Sequence, residues 1–403
     1  MKTLISLLLL TTFVPFKSSA QWTTLSSPTT LALDRGAFPN DATGFVAGSM
    51  GHTVYRTMDG GTTWDSIVFA SNIVDIDFVS PDTGFVLVGT GTSYELKTTH
   101  NKGNTWTTKT ITTPGPYLQT LYFTSAMNGY VVDYNATVGK TTDGGTTFTP
   151  SALGTYAYIN DKEHIDQDTL ILTGWDGTFA YKGAMYRSYD AGATWQAIIH
   201  DSTYSTYTGT HFLNGMVGFA VYSDWTGAYT VLAKTIDGGN TWTTIHSDAT
   251  SSFVEVFMVN QTRGYISVQG TSTHGISITV DGVNWTHDYT TPHPVRRFYS
   301  NGNAIWGIGD EGMIVKNATG NNVNEVLEIE STNMYPNPTT GEVYMNFGKP
   351  AVVTVFDIAG NEIMHTKTFP GEKLDLAHLP NGLYLAKINV DGRMGSAKIV
   401  LNK

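Results

Sequence analysis

From Ile73 to Ser80 the chain alternates apolar and polar residues, IVDIDFVS, which is the period of a strand with one buried face. The pattern breaks at PDTG (81–84), resumes as FVLVG (85–89), and continues as YELKT (94–98) and WTTKTIT (106–112). Four short strands separated by turn residues predict one antiparallel four-stranded sheet. The second of these strands recurs as TGFVAG (43–48), NGYVVD (128–133), VGFAVY (217–222) and RGYISV (263–268), so the same sheet is predicted in successive units with its register kept.

Between the third and fourth strands of each unit stands one turn, TMDGGTTW at 57–64. It is rewritten as THNKGNTW (99–106), TTDGGTTF (141–148), SYDAGATW (188–195), TIDGGNTW (235–242) and the shorter TVDGVNW (279–285). The third-position residues Asp59, Asn101, Asp143, Asp190, Asp237 and Asp281 follow one another at 42, 42, 47, 47 and 44 residues. Their side-chain oxygens are placed to accept backbone N–H groups inside the hairpin, and the glycines supply the positive φ such a turn needs. The closing aromatic is expected to fold over the turn and to be largely buried. Sheets of four strands repeating at this period predict the blades of a β-propeller.

Six turns mark six blades, and a seventh is predicted from PVRRFYSNGNAIWGIGDEGMIVKNATG (294–320). This stretch supplies three strands and then stops. Trp22-Thr23-Thr24-Leu25 repeats the fourth-strand signature seen as WTTK (106–109) and WTTI (242–245), so the N-terminal strand is expected to complete the last blade and leave no open edge. Met1 to Ala20 reads as a secretory signal peptide: Lys2, an apolar run from Leu4 to Phe16, and a small-residue site at Ser18-Ser19-Ala20. The propeller is expected over 21–320, a polar acidic linker over 321–332, and a compact β module over 333–403. The fold class is thus all-β: a seven-bladed β-propeller followed by a small β-sandwich of immunoglobulin-like type.

Composition narrows the partners. With 34 acidic against 23 basic residues and a net charge of −11, the chain has no basic stripe for a nucleic-acid backbone. It has no cysteine, hence no disulfide or thiolate metal site, and its 11 histidines are scattered, so neither a metal nor a cofactor is expected. After the leader no apolar run is long enough for a transmembrane helix. The motifs of serine hydrolases, P-loop proteins and zinc proteases are missing from the sequence.

The repeated turn resembles the Asp-box, or bacterial neuraminidase repeat, whose role in the families that carry it is structural. The repeats also resemble the propellers of photosystem assembly factors. MYPNPTTGEVYM (334–345), VTVFDIAGNEI (353–363) and LDLAHLPNGLYLAKINVDGRMGSAKIVLNK (374–403) resemble the C-terminal sorting domain of the type IX secretion system. That resemblance implies export through the periplasm to the cell surface or beyond, with the secretion machinery as a partner of 333–403. The sialidase resemblance implies three clamping arginines and a Tyr–Glu pair. Before residue 333 the arginines are Arg35, Arg56, Arg187, Arg263, Arg296 and Arg297; Arg56 and Arg187 belong to the repeat, so no such clamp is predicted.

A ligand is expected on the face opposite the Asp-box turns. There GWDGTFAYKGAM (174–185) and YSDWTGAYT (222–230) are longer than their counterparts and lie on adjacent blades. Trp175, Asp176, Tyr181, Asp224, Trp225 and Tyr229, with Arg296 from HDYTTPHPVRRF (287–298), are the candidate binding residues. Aromatic faces beside carboxylates suit sugar rings. The sequence supports an exported non-catalytic propeller that binds a glycan or a protein. A glycoside hydrolase on the same scaffold is the alternative, with its catalytic residues unknown.

Overall fold

A computed structural model describes residues 22–49, 51–90, 93–111, 117–154, 158–165, 168–176, 182–199, 205–224, 229–271, 273–318, 326–327, 334–345, 351–357, 361–369, 371–390 and 393–403. The chain divides into two compact units, Met1–Asn321 and Asn322–Lys403.

In the first unit, seven four-stranded antiparallel sheets form the blades of a propeller. The first strand of each blade is innermost: Arg35–Ala37, Ile73–Phe78, Leu118–Phe123, Tyr158–His164, Ser205–Phe212, Ser252–Met258 and Val295–Ser300 for blades 1 to 7. Each packs against the next and the seventh against the first, so these strands ring a central channel. Blade 7 takes its fourth strand from the other end of the chain, with Trp22 opposite Asn317 and Thr24 opposite Val315. Trp22 is buried, edge-on to Tyr265 at 5.3 Å. It joins Ile276, Val295, Ile305 and Val315 in one core that spans blades 6 and 7.

The glycine that opens the second strand of blades 1, 2, 3 and 5 has a physical reason in close approach. An aromatic at the end of the inner strand lies flat against it, and a Cβ on Gly84 would come within 2.3 Å of the Phe78 ring, on Gly129 within 2.5 Å of Phe123. The Asp-box turns follow their expected chemistry. The Thr57 hydroxyl donates to Asp59 Oδ1 (2.9 Å) and accepts from Gly61 N (2.8 Å), while Thr63 N donates to Asp59 Oδ1 (2.9 Å). Asn101 does the same with its amide, Oδ1 accepting Thr105 N and Nδ2 donating to Thr105 Oγ1, each at 2.9 Å. Asp143, Asp190, Asp237 and Asp281 repeat the bond to the backbone. The box aromatics correct one expectation: Trp64, Trp106, Phe148, Trp195, Trp242 and Trp285 are half-buried. Each ring packs partly against the protein, as Trp106 meets Phe69 of the preceding blade and Phe78 of its own blade edge-on, and is partly open to solvent.

The second unit pairs a five-stranded with a three-stranded sheet. Val343, Val353, Val355, Leu374, Leu376, Ile388 and Ile399 form its buried core, which makes it a small β-sandwich. Among the described residues no helix is long and apolar enough to cross a membrane.

Candidate ligand site at the channel mouth

The inner strands from blade 2 to blade 7 each carry a bulge at the same place, at Val74, Gln119, Asn160, Thr208, Val254 and Arg296. A bulge re-aims the side chains beside it, and the residue that follows is Asp75, Thr120, Asp161, Gly209, Glu255 or Arg297. The repeat therefore brings three carboxylates and a guanidinium to equivalent positions around the channel, where they bind neighbouring blades. Asp75 Oδ2 accepts the Thr120 hydroxyl (2.5 Å) and Leu121 N (3.0 Å), and Asp161 Oδ2 accepts Thr210 N (2.8 Å).

Two cations cross the channel between blades that are not neighbours. Lys162 of blade 4 reaches Asp75 of blade 2 and the Leu121 carbonyl of blade 3. Arg297 of blade 7 donates Nη1 to Glu255 Oε2 (2.8 Å) and to Thr208 O (3.2 Å), and Nη2 to Asn160 O (2.7 Å), touching blades 6, 5 and 4. Burial pushes the Asp75 carboxyl up, but Lys162 and Arg35 beside it outweigh burial and hold it below the usual range. Asp77, two residues on, is raised by burial to about 6 although Lys162 opposes this. Burial also carries Glu163 well above the usual value. His211 Nδ1 accepts Met258 N from the next blade at 3.2 Å, and burial lowers its pKa to about 4.

On the face opposite the Asp-box turns the channel opens into a cavity of about 600 Å³. Its wall includes Asp34, Arg35, Gln119, Tyr134, Tyr158, Asn160, Gln269 and Arg296. An aromatic ladder from blades 3 and 4 stands at this rim. Tyr134 meets Tyr158 edge-on at 4.6 Å, their hydroxyls 2.9 Å apart, and Tyr158 stacks on Trp175 at 5.0 Å with 15° between the planes. Tyr158 is 39% exposed. Burial raises the Tyr134 hydroxyl above its usual pKa, and the bond to Tyr158 adds to this.

Of the residues singled out from sequence, Trp175 is half-buried in this ladder and Arg296 lines the mouth, its guanidinium held bidentate by Asp310 at 2.6 and 2.8 Å. Asp176 is buried and accepts Lys182 N at 3.2 Å, closing the base of its own loop. Asp224 and Tyr229 pair at the end of their hairpin. The side chains of Asp224 and Tyr229, and all of Tyr181 and Trp225, lie outside the described residues. Sequence reasoning placed Arg297 beside Arg296 on this face but missed Tyr134, Tyr158 and Lys162. The available signal was charge inside inner strands, as in YINDKEH (158–164) and VRRFYS (295–300). Among the described residues no group of three or more His, Asp or Glu is placed to hold a metal ion.

A channel ringed by seven blades, with Asp-box hairpins on one face and an aromatic-lined mouth on the other, defines an Asp-box β-propeller. Residues 66–229 match the family described as photosynthesis system II assembly factor YCF48. Residues 333–402 match the secretion system C-terminal sorting domain, so this is an exported propeller carrying a type IX secretion tail, secreted or held at the cell surface. A solved structure of YCF48 bound to D1 peptide is similar with a TM-score of 0.59 at 14% identity, over 74% of this chain and 97% of that one. YCF48 from Cyanidioschyzon merolae gives 0.58 at 14% identity, over 73% and 98%. The GH74 enzyme of Niastella koreensis gives 0.51 at 17%, over 92% of this chain and 66% of that one. At these identities the likeness establishes the fold. No curated protein matches the chain.

Proposed function

We propose that this protein is a non-catalytic binding propeller, delivered to the cell surface or beyond it by its sorting domain, and that it takes a glycan or protein ligand at the channel mouth opposite the Asp-boxes. One observation carries the reading: the Tyr134–Tyr158–Trp175 ladder stands beside a cavity of about 600 Å³, with Tyr158 both exposed and part of the wall. A concave site with aromatic faces and a few polar groups is the usual form of a ligand pocket. The structure of YCF48 bound to D1 peptide is consistent with a propeller of this kind serving as a binding module. A leader at Met1–Ala20 starts the export route in this reading. The test is a glycan and protein array probed with the full chain and with Tyr158→Ala. Binding that disappears with the ring supports the mouth, and binding that ignores the substitution overturns it.

A glycoside hydrolase is the second reading, and one observation favours it: Asp75 is held low and Asp77 raised to about 6 on the same strand. Two carboxyls with separated pKa values are what an acid and its ionised partner require. Weighing against it, Asp75 is tied to Lys162, Thr120 and Leu121, and Asp77 accepts Phe123 N at 2.6 Å. Release of reducing sugar from polysaccharides, abolished in Asp77→Asn, would establish the enzyme.

A further inference from the structure

We infer that the ligand of the mouth is a neutral glycan, a proposal that rests on the reading of this mouth as the binding site. The first argument is charge. Among the described residues the charged side chains lining the mouth are Asp34, Arg35, Arg296 and Arg297. Arg35 lies 3.5 Å from Asp34 and 3.7 Å from Asp75 and donates to Val74 O at 2.9 Å. Arg296 is held on both arms by Asp310, and Arg297 by Glu255. Asp34 in turn accepts the backbone N–H and the hydroxyl of Ser49 at 2.7 and 2.6 Å. Every cation at the mouth is thus matched by a carboxylate, and recognition of an acidic sugar needs a guanidinium or ammonium that is not already matched. The surrounding chain, at −11, repels a polyanion further.

The second argument separates a sugar from a polypeptide. An extended peptide binds a strand edge through the backbone groups of that edge. Here four inner-strand carbonyls at the mouth are already occupied: Val74 O by Arg35, Asn160 O and Thr208 O by Arg297, and Tyr207 O by the Asn160 amide at 2.8 Å. The uncharged polar residues Asn72, Gln119, Ser223, Ser252 and Gln269 share the cavity wall with Tyr158. Amides and hydroxyls that bond to hydroxyl groups, beside an aromatic for C–H faces, match an uncharged sugar chain.

Binding is to be measured by calorimetry on the full chain with soluble neutral polysaccharides (β-glucan, mannan, xylan), acidic ones (polygalacturonate, chondroitin sulfate) and a library of extended peptides. The expected result is binding to a neutral polymer that weakens about tenfold in Tyr158→Ala, with no binding to the acidic ones. In Asp310→Asn, which leaves Arg296 without its carboxylate, weak binding of an acidic polymer should appear while the neutral polymer binds as before. An acidic polymer or a peptide bound by the wild type in a Tyr158-dependent way overturns the neutral-glycan proposal and leaves the mouth standing as the site. Neutral-polymer binding that persists unchanged in a folded Tyr158→Ala overturns the mouth itself. If Tyr158→Ala does not fold, failure of Asp310→Asn to admit any acidic polymer overturns the charge argument on its own.

Discussion

Arg297 and Glu255 meet inside the channel at 2.8 Å, across the junction of blades 7 and 6, with the carboxylate side chain only 5% exposed. The same guanidinium holds Asn160 O of blade 4. A seven-bladed ring has its weakest coherence across its channel, where no sheet hydrogen bonds run, and here Arg297 braces blade 7 to blade 4 as Lys162 braces blade 4 to blade 2. Removing one partner of a buried pair leaves an uncompensated charge, which costs about 3–5 kcal/mol. Arg297→Met should lower stability by that order in chemical denaturation. Adding Glu255→Gln should recover a large part of it, because the stranded carboxylate is gone.

Closure of the ring depends on the strand from Trp22 to Thr24. Trp22 is buried between Tyr265 and Phe298, and removing such a ring leaves a cavity worth about 3–5 kcal/mol. Trp22→Ala is expected to lower the midpoint of thermal unfolding substantially. Deleting 22–25 should in addition expose the edge of Ile314–Asn317 and promote self-association, measurable by light scattering.

The Asp-box carboxylates are ordered by what they accept. The Thr63 hydroxyl and backbone hold Asp59 at about 2, and Thr194 and Thr241 do the same for Asp190 and Asp237. A folded pKa below the unfolded 3.8 means stability that is present above about pH 4 and lost as pH falls toward 2. Asp237→Asn should be tolerated at pH 7, because Asn101 already fills the equivalent place with the same bonds. Asp237→Ala should lower the melting temperature. Acid titration of melting should be shallower in the Asn variant.

Asp77 has the opposite sign. Its folded value of about 6 lies above the ordinary 3.8, so the folded state binds its proton more tightly. The stability this group contributes is full below about pH 4 and is lost as pH rises through 6. Asp77→Asn keeps an oxygen for Phe123 N and removes the titration. It should stabilise the protein by about 1–3 kcal/mol at pH 8 and change little at pH 4, compared by urea unfolding at the two values.

The sorting domain has its own core and its own two sheets. A chain ending at Asn321 should therefore fold with an unchanged near-ultraviolet spectrum, yet remain in the periplasm of a host with a type IX system. Fractionation with an antibody to the propeller reads this out, and its appearance outside the cell would overturn the role of 333–403.

Much of this architecture is written locally in the chain. The turn TMDGGTTW carries its own hydrogen-bonding partners within eight residues, so each copy announces a hairpin, and the spacing of copies announces a blade. The WTTL start matched the fourth-strand signature because a strand's pattern depends on the face it buries, whichever end of the chain supplies it. The candidate site was less legible. Trp175 was visible as an aromatic in a long loop, but its stacking on Tyr158, directly opposite it in the preceding strand, depends on the register of that hairpin and its bulge. Lys162 and Asp75 are 87 residues apart, and Arg297 and Asn160 are 137 apart. The repeat period says that such residues occupy equivalent positions on their own blades. Which of them face each other depends on how many blades close the ring, where each inner strand bulges, and how far a lysine or arginine stem extends across the channel. Short-range chemistry therefore determined the blades, and only the closed ring decided which charges would be paired and what kind of mouth they would leave.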